Sequence, residues 1–237
     1  MLNYQELKEK PREFLAATGL TKEEFELLLP HFEAAYQQHY PSTLTVQGKA
    51  RQRGLGAGAK SKLAAFADQL FFLLVYQKTN PLQTLHGLQF GMVQSRANYL
   101  IHRLLPVVQT ALAQMGMKPE REACAVAAHP AAREGGANLS LDGTERTLQR
   151  PSDPLKQRKK YSGKKKTHTD KNLLLVNENS KKVVYLSPTV EGKKHDSKAA
   201  QEAAIAYPAQ ATLTKDTGFQ GYEPAGVLTL QPQKKER

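Results

Sequence analysis

The sequence predicts an α+β protein in which an all-α N-terminal part is followed by a mixed α/β part. Up to about residue 115, apolar residues recur at the three- and four-residue spacing of amphipathic helices. From about residue 138, short apolar runs bounded by turn residues are typical of strands instead. We therefore divide the chain into N-terminal helices with a basic, glycine-rich linker (1–60), a second helical region (61–115), a connector (116–137) and an α/β domain (138–237).

The first 40 residues show the pattern of two helices. Thr21 and Glu24 have the spacing of a capping box, in which each residue satisfies a backbone N–H group of the other at a helix N-terminus. Pro30 falls inside the helix that follows and is expected to kink or shorten it. Residues 41–60 are rich in glycine and basic residues, which indicates a linker or loop.

From Ser61 the pattern predicts three helices in close succession. Thr79, Asn80 and Pro81 supply the end of the first helix, then a cap and a proline for the second, which covers about Leu82–Gln89. Phe90-Gly91 makes a turn, and the third helix begins near Val93. This is the layout of a helix-turn-helix, whose second helix enters the DNA major groove by its N-terminal residues. The outward-facing candidates for DNA contact are Gln94, Ser95, Arg96 and Asn98. A plain helical subdomain is the alternative interpretation.

In the α/β part the pattern predicts strands, then a helix, then a last strand. The strands are Leu139–Thr144, Leu173–Asn177, Lys182–Pro188 and Ala211–Lys215, and the helix, capped by Asp196, extends to Ile205.

Two aspartates, Asp142 and Asp216, each follow an apolar stretch at a predicted strand end. If their strands are neighbours, the two carboxylates converge at one edge of the sheet. Carboxylate oxygens are the protein ligands that Mg²⁺ prefers. Taken alone, however, Asp142-Gly143 and Asp216-Thr217-Gly218 are also ordinary turn sequences.

Charge is concentrated in two segments. The formal net charge is +12, residues 48–62 contain five Lys/Arg and no acid, and residues 156–171 contain eight Lys/Arg against a single Asp. Such patches favour a polyanionic partner, either nucleic acid or an anionic membrane surface. The longest apolar run, Leu70–Tyr76, is far shorter than the roughly 20 residues of a membrane helix, and the N-terminus lacks the apolar segment of a signal peptide. The sequence thus predicts a cytoplasmic, DNA-handling protein without a membrane partner.

Four strings in the α/β part occur in one order and at compatible spacing. They are DGTERTLQRP from Asp142, YSGKKKTHTDK from Tyr161, YLSPTVEGKKHD from Tyr185 and DTGFQGY from Asp216. Together they resemble the DDE-superfamily endonuclease domain of bacterial insertion-sequence transposases. KTN at 78–80 and FG at 90–91 resemble the helix-turn-helix that precedes that domain. The resemblance implies a ribonuclease-H-like fold, DNA as partner, a divalent metal (Mg²⁺ or Mn²⁺) as cofactor, and phosphodiester cleavage with strand transfer.

By the same resemblance, Asp142 and Asp216 are the first two metal ligands of an acidic triad. The residues expected to line the DNA path beside them are Lys164, Lys165, Lys166, His168 and Lys171. A run of lysines is usually only a solvated surface, but beside a phosphodiester site lysines attract phosphates without reading sequence. Val93 stands where a capping Ser or Thr would be usual at the start of the recognition helix.

The family's third metal ligand is a glutamate on a late helix. After Asp216 the only glutamates are Glu223, in the turn-like GYEP, and Glu236. The resemblance therefore predicts a C-terminally truncated domain with one incompletely buried sheet face, and a chain that binds DNA but does not cut it efficiently. Its origin is either a decayed or interrupted copy, or the first frame of a frameshifted gene.

Two functions remain open on the sequence. One is a transposase that binds element ends and target DNA. The other is a non-catalytic DNA-binding remnant or regulator of transposition, with a second copy of itself or an intact transposase as protein partner.

Overall fold

The structure, a computed structural model, describes residues 1–44, 48–50 and 62–232 of the 237-residue chain. It divides into two units, Met1–Met115 and Gly116–Arg237, each with a hydrophobic core of its own. Most of the predicted glycine-rich linker lies outside the described residues, at 45–47 and 51–61. Within the described part, no helix combines the length and apolar character that crossing a membrane requires.

The described part of the first unit is helical. Its helices are α1 (Tyr4–Leu7), α2 (Pro11–Thr18), α3 (Lys22–His39), α4 (Phe66–Thr79), α5 (Gln83–Gln89) and α6 (Gln94–Gln114). Their core contains closely packed aromatic rings, and Phe14, for example, makes an edge-on contact with Phe25 and stacks on Phe71. Such rings bury large apolar areas and prefer these offset and edge-on arrangements.

Residues 1–40 form three helices, so the expectation of two is wrong. Gly19 adopts the left-handed conformation (φ 77°) and ends α2, and the additional helix α1 is only four residues long. The capping box of α3 is confirmed, because Thr21 N donates to Glu24 Oε2 (2.8 Å) and Glu24 N donates to Thr21 Oγ1 (3.2 Å). Helix α3 continues through Pro30 to His39, so the proline does not shorten it.

The three helices predicted after residue 61 are present as α4, α5 and α6. Asn80 is not the cap of α5: it adopts the left-handed conformation (φ 42°) and caps the C-terminus of α4, while α5 begins at Gln83. The turn between α5 and α6 is tight. Gly91 has φ 65°, and a Cβ on Gly87 would lie 2.7 Å from the carbonyl oxygen of Met92, so both positions require glycine.

Helix α5 is attached to this core through a buried histidine. The His86 ring lies 4.3 Å from the Phe72 ring, 5.2 Å from Tyr76 and 5.0 Å from Phe90, centroid to centroid. Burial lowers the pKa of His86 below its ordinary value of 6.5. The unfolded chain therefore binds a proton more readily than the folded chain. The stability that neutral His86 contributes is fully present above pH 6.5 and is lost as the pH falls below that value towards the lowered pKa.

We expect α5 to open more readily at pH 5 than at pH 7, with uptake of up to about one proton per opening. Hydrogen exchange of α5 peptides, corrected for the intrinsic pH dependence of exchange, measures this. His86→Phe should remove the dependence, whereas His102→Gln, at an exposed position of α6, should retain it. A pH dependence that is the same in the His86→Phe variant would contradict the assignment.

The second unit is a mixed sheet with short helices. Its strands are β1 (Asn138–Thr147), β2 (Tyr161–Ser162), β3 (Thr167–Asn177), β4 (Val183–Leu186), β5 (Val190–Glu191), β6 (Thr212–Lys215) and β7 (Leu228–Leu230). Its α-helices are α7 (Pro154–Lys160) and α8 (Asp196–Ala203), and the segments Ala123–Ala128, Pro130–Ala132 and Thr217–Phe219 are 3₁₀ helices. The predicted α+β class is confirmed, with a helical first unit and a mixed α/β second unit that agrees with the ribonuclease-H-like class.

The sheet has the order β2-β3-β1-β6-β7, and β4 and β5 also pair with β3. Strand β1 is antiparallel to β3 and parallel to β6, and β6 is parallel to β7. The predicted strands correspond to β1, β3, β4 and β6, and the predicted helix to α8. Asp196 is the first helical residue of α8 and His195 is its N-cap, so the prediction that Asp196 caps this helix is wrong.

The two faces of the sheet are covered to different degrees. Leu139, Leu141 and Leu213 are fully or almost fully buried on one face. On the other face, Ser140 is half-buried and Asp142 is exposed. The incompletely buried face that the sequence predicts is therefore present, and Asp142 lies on it.

Residues 116–137, predicted as a connector, contribute to this core with buried Val126, Ala131 and Ala132. The amide of Asn177 at the end of β3 holds the segment in place, because its Nδ2 donates to the carbonyl oxygens of Ala131, Glu134 and Gly136. The segment thus packs as a part of the second unit.

Candidate active site

The parallel pairing of β1 with β6 positions the two aspartates. Leu139 lies opposite Leu213 and Leu141 opposite Lys215, so the next residues in the two strands are Asp142 and Asp216. Neighbouring strands are about 4.8 Å apart, and residues in register project to the same face. The predicted adjacency of the two strands is therefore confirmed, and Asp142 and Asp216 are the next residues after their last pair. The prediction that Asp142 ends its strand is wrong, because β1 continues to Thr147 through its pairing with β3.

Each aspartate is exposed and accepts a hydrogen bond from a nearby backbone N–H group, in β1 for Asp142 and in the 3₁₀ turn after β6 for Asp216. Asp142 Oδ1 accepts a hydrogen bond from Gly143 N (2.7 Å), and Asp216 Oδ1 accepts one from Gly218 N (2.9 Å). One N–H donor occupies only part of the accepting capacity of a carboxylate, which has about four lone-pair sites. The remaining oxygen positions face solvent, so the pair fits a hard divalent cation that keeps several waters.

The described residues contain no group of three or more His, Cys, Asp or Glu side chains arranged to hold a metal ion. Glu223, one of the two late glutamates, is engaged elsewhere. Its carboxylate accepts from Lys215 Nζ (2.6 Å) and from the hydroxyl of Thr229, and the hydrogen bond from Lys215 is the main cause that lowers the pKa of Glu223. Glu236 lies outside the described residues.

Lys171 does not line an open DNA path. It is 4% exposed, and its ammonium lies 2.7 Å from Asp196 Oδ1 and 3.4 Å from Glu145 Oε1. An ammonium that is buried between two carboxylates is unavailable to a phosphate. Lys171 therefore does not contact DNA in this arrangement. The sequence missed this because the two acids are far from Lys171 along the chain.

The remaining lysines of the predicted DNA path are exposed. Strands β2 and β3 form a hairpin in which Tyr161 pairs with His168, and Lys164, Lys165 and Lys166 lie at its tip. His168 is half-buried, with its ring edge-on to the Tyr161 ring at 5.7 Å between centroids. This contact gives His168 a structural role in the hairpin.

Helix α7, which the sequence did not predict, adds cations beside this hairpin. Its last turn contains Arg158, Lys159 and Lys160. Lys160 is paired with Asp170 at 2.7 Å, and Lys159 lies 3.6 Å from Glu191. Part of the basic segment is therefore neutralised within the protein. The exposed cations at the hairpin tip remain as the candidates for DNA contact.

In the first unit, the recognition-helix candidates stand at the N-terminus of α6. Gln94, Ser95 and Arg96 are exposed, whereas Asn98 is half-buried and its Nδ2 donates to Gln83 Oε1 (3.0 Å). Gln94 donates to the same oxygen at 3.0 Å, so Gln83 ties the recognition helix to α5.

The start of α6 has no side-chain cap. Val93 occupies the N-cap position without a capping hydrogen bond, as the sequence predicts. Uncapped N–H groups at a helix N-terminus are available to water or to an anion such as a DNA phosphate.

Two protein-family models match the chain. The model described as DDE superfamily endonuclease matches residues 141–237, and the model described as helix-turn-helix of DDE superfamily endonuclease matches residues 61–114. Together they cover more than half of the chain, in the order in which the helical and mixed units occur. No curated protein and no solved structure matches it.

Proposed function

We propose that this chain, which belongs to the DDE superfamily of endonucleases and carries the family's helix-turn-helix, acts as a transposase in the cytoplasm. The two family segments support a transposase-like DNA-binding nuclease. Beyond this, we propose that α6 binds element DNA and that Asp142 and Asp216 hold a divalent metal for phosphodiester cleavage and strand transfer. The observation that supports the proposal is the register of β1 and β6, whose last pair, Leu141 with Lys215, immediately precedes Asp142 and Asp216.

Different residues are proposed to bind the metal, the phosphate backbone and the bases, according to their side-chain chemistry. A bound Mg²⁺ or Mn²⁺ would supply Lewis-acid stabilisation of the oxygens in an in-line phosphodiester displacement. Asp142 and Asp216 bind the cation, and their hydrogen bonds to Gly143 and Gly218 fix one oxygen of each carboxylate. The lysines at the hairpin tip attract the phosphate backbone, while exposed polar side chains of α6 contact base edges.

We expect the triple substitution of Lys164, Lys165 and Lys166 with alanine to weaken DNA binding and its dependence on salt. Each lost phosphate contact should reduce the slope of log affinity against log salt by about one. Affinity for duplex DNA, measured at several salt concentrations, tests this.

The control is Lys8→Ala with Lys10→Ala, which removes cations from the acidic N-terminal segment. An unchanged salt slope in the triple variant would remove the hairpin tip from the DNA interface.

A second function is favoured by one observation: among the described residues, no group of three or more His, Cys, Asp or Glu side chains is arranged to hold a metal ion. On this proposal the chain is a non-catalytic DNA-binding regulator of transposition, which acts on element ends or in assembly with an intact transposase. A nicking assay with Mg²⁺ or Mn²⁺ separates the two functions, because both require DNA binding and only the first requires cleavage.

A further inference from the structure

A third acid, Asp196, lies against the backbone that follows each of the two aspartates. Its Oδ1 is 2.8 Å from the position that a Cβ on Gly143 would occupy. Its Oδ2 is 3.0 Å from the corresponding position of Gly218. One carboxylate at the first turn of α8 therefore lies against both Gly143, within β1, and Gly218, in the 3₁₀ turn after Asp216.

Both contacts depend on the absence of a side chain. Cβ atoms essentially never approach other heavy atoms within 3.0 Å, so any residue larger than glycine at 143 would displace Asp196. Because side chains alternate along a strand, a side chain at position 143 would point to the face opposite Asp142. Asp196 thus approaches β1 at Gly143 from the α8 side of the sheet.

The position of Asp196 is fixed by a buried ion network. Lys171 Nζ is 2.7 Å from Asp196 Oδ1, 3.4 Å from Glu145 Oε1 and 2.8 Å from the carbonyl oxygen of Lys194. The side chains of Lys171 and Glu145 are 5% and 8% exposed. A buried pair of this kind tolerates little movement, because separating its members leaves an uncompensated charge.

Asp196 is also close to Asp216. Asp196 Oδ2 and Asp216 Oδ1 each lie 3.0 Å from the same Gly218 Cβ position, so the two oxygens are at most 6.0 Å apart, twice 3.0 Å. At that separation, the negative charge of Asp196 contributes directly to the potential at the aspartate pair.

From this arrangement we propose that Asp196 is a positioning residue for the metal site. Through its contacts with Gly143, Gly218 and Lys171, it holds the β1 backbone at Asp142 in register with the turn after Asp216. The proposal rests on the proposed function, since it assumes that Asp142 and Asp216 bind the metal. Asp196 acts through these residues and is not itself a ligand.

The test is Mn²⁺ binding to the 237-residue chain, measured by electron paramagnetic resonance without DNA or cleavage. Asp196→Asn keeps the shape of the side chain and removes its charge. We expect it to weaken Mn²⁺ binding by about tenfold, the lower end of the effect of residues that orient metal ligands. Asp196→Ala should weaken binding at least as much. Glu202→Gln, which removes an exposed acid from the same helix, should bind Mn²⁺ as the parent does.

A purely stabilising role would lower the thermal midpoint of Asp196→Asn but leave the Mn²⁺ affinity of the folded protein within about twofold of the parent, and that result overturns the inference. If Asp196→Asn does not fold, Gly143→Ala tests the same contact from the other side, because its methyl group displaces Asp196 Oδ1. Unchanged Mn²⁺ affinity in Gly143→Ala would likewise overturn the inference.

Asp142→Ala distinguishes this failure from failure of the proposed function. If Asp142→Ala loses Mn²⁺ binding and the Asp196 variants do not, the inference fails and the proposed site stands. If Asp142→Ala binds Mn²⁺ as the parent does, the proposed metal site fails, and the inference fails with it.

Discussion

Asp142→Ala or Asp216→Ala, introduced into any form of this protein that cuts DNA, is expected to lower the cleavage rate by on the order of a thousandfold or more. Each substitution removes one of the two proposed metal ligands, which immediately follow the last pair of β1 and β6. A loss of about 4 kcal/mol in transition-state stabilisation, as for a lost metal contact, corresponds to a thousandfold in rate. Single-turnover cleavage of a labelled duplex with Mg²⁺ or Mn²⁺ measures the effect.

DNA binding should be retained in both variants, because the exposed hairpin lysines and the α6 residues are unchanged. Glu134→Gln is a suitable control, since it removes an acid from the same unit that is paired only with Lys182 in the described ion pairs. Cleavage at the parental rate by either aspartate variant would exclude that residue as a ligand.

The convergence of the two aspartates could be predicted because it depends on short local patterns. Each residue follows a short alternating stretch with buried leucines, and a parallel pairing of the two stretches suffices to align them. The start of α6 was predictable for a similar reason. Gly91 and the apolar positions that follow it are sufficient to define the turn and the buried face of the helix.

The polar half of β3 could not be predicted in this way. The strand begins at Thr167, six residues before the predicted Leu173, and its early residues are mostly polar. Thr169 and Lys171 are buried because Thr169 faces the carboxylate of Glu145 and Lys171 faces those of Glu145 and Asp196, which come from other elements. A sequence pattern identifies apolar burial, but it does not show that distant charges compensate one another.

Asp196 and β7 illustrate two further limits. An aspartate before a helical pattern is typical of an N-cap, yet Asp196 is paired with Lys171, a contact that only the tertiary structure creates. Strand β7 has three residues, two of them exposed, and is held by main-chain pairing with β6. Three residues are too few to show the alternation over about four to eight residues that marks a half-buried strand.

The 237-residue chain itself is expected to bind DNA but to cut it poorly or not at all. A pair of carboxylates with a substrate phosphate can hold one divalent ion, whereas a two-metal mechanism stabilises both the attacking and the leaving oxygen. The described residues contain no group of three acids arranged to hold a metal ion. Asp196 is paired with Lys171, and Glu223 is paired with Lys215 and Thr229. Losing the second metal should cost several kcal/mol, or roughly a thousandfold in rate.

The measurement is a nicking assay on supercoiled DNA with Mg²⁺ or Mn²⁺, beside a binding assay on the same preparation. We expect saturable binding that weakens steeply with added salt, because phosphate contacts release counterions, together with little nicking. Efficient metal-dependent nicking would contradict this expectation. Glu223→Gln and Glu236→Gln would then identify the substitute ligand. Loss of nicking in Glu223→Gln would mean that Glu223 leaves Lys215 and binds the metal. Loss of nicking in Glu236→Gln would make Glu236 the third ligand.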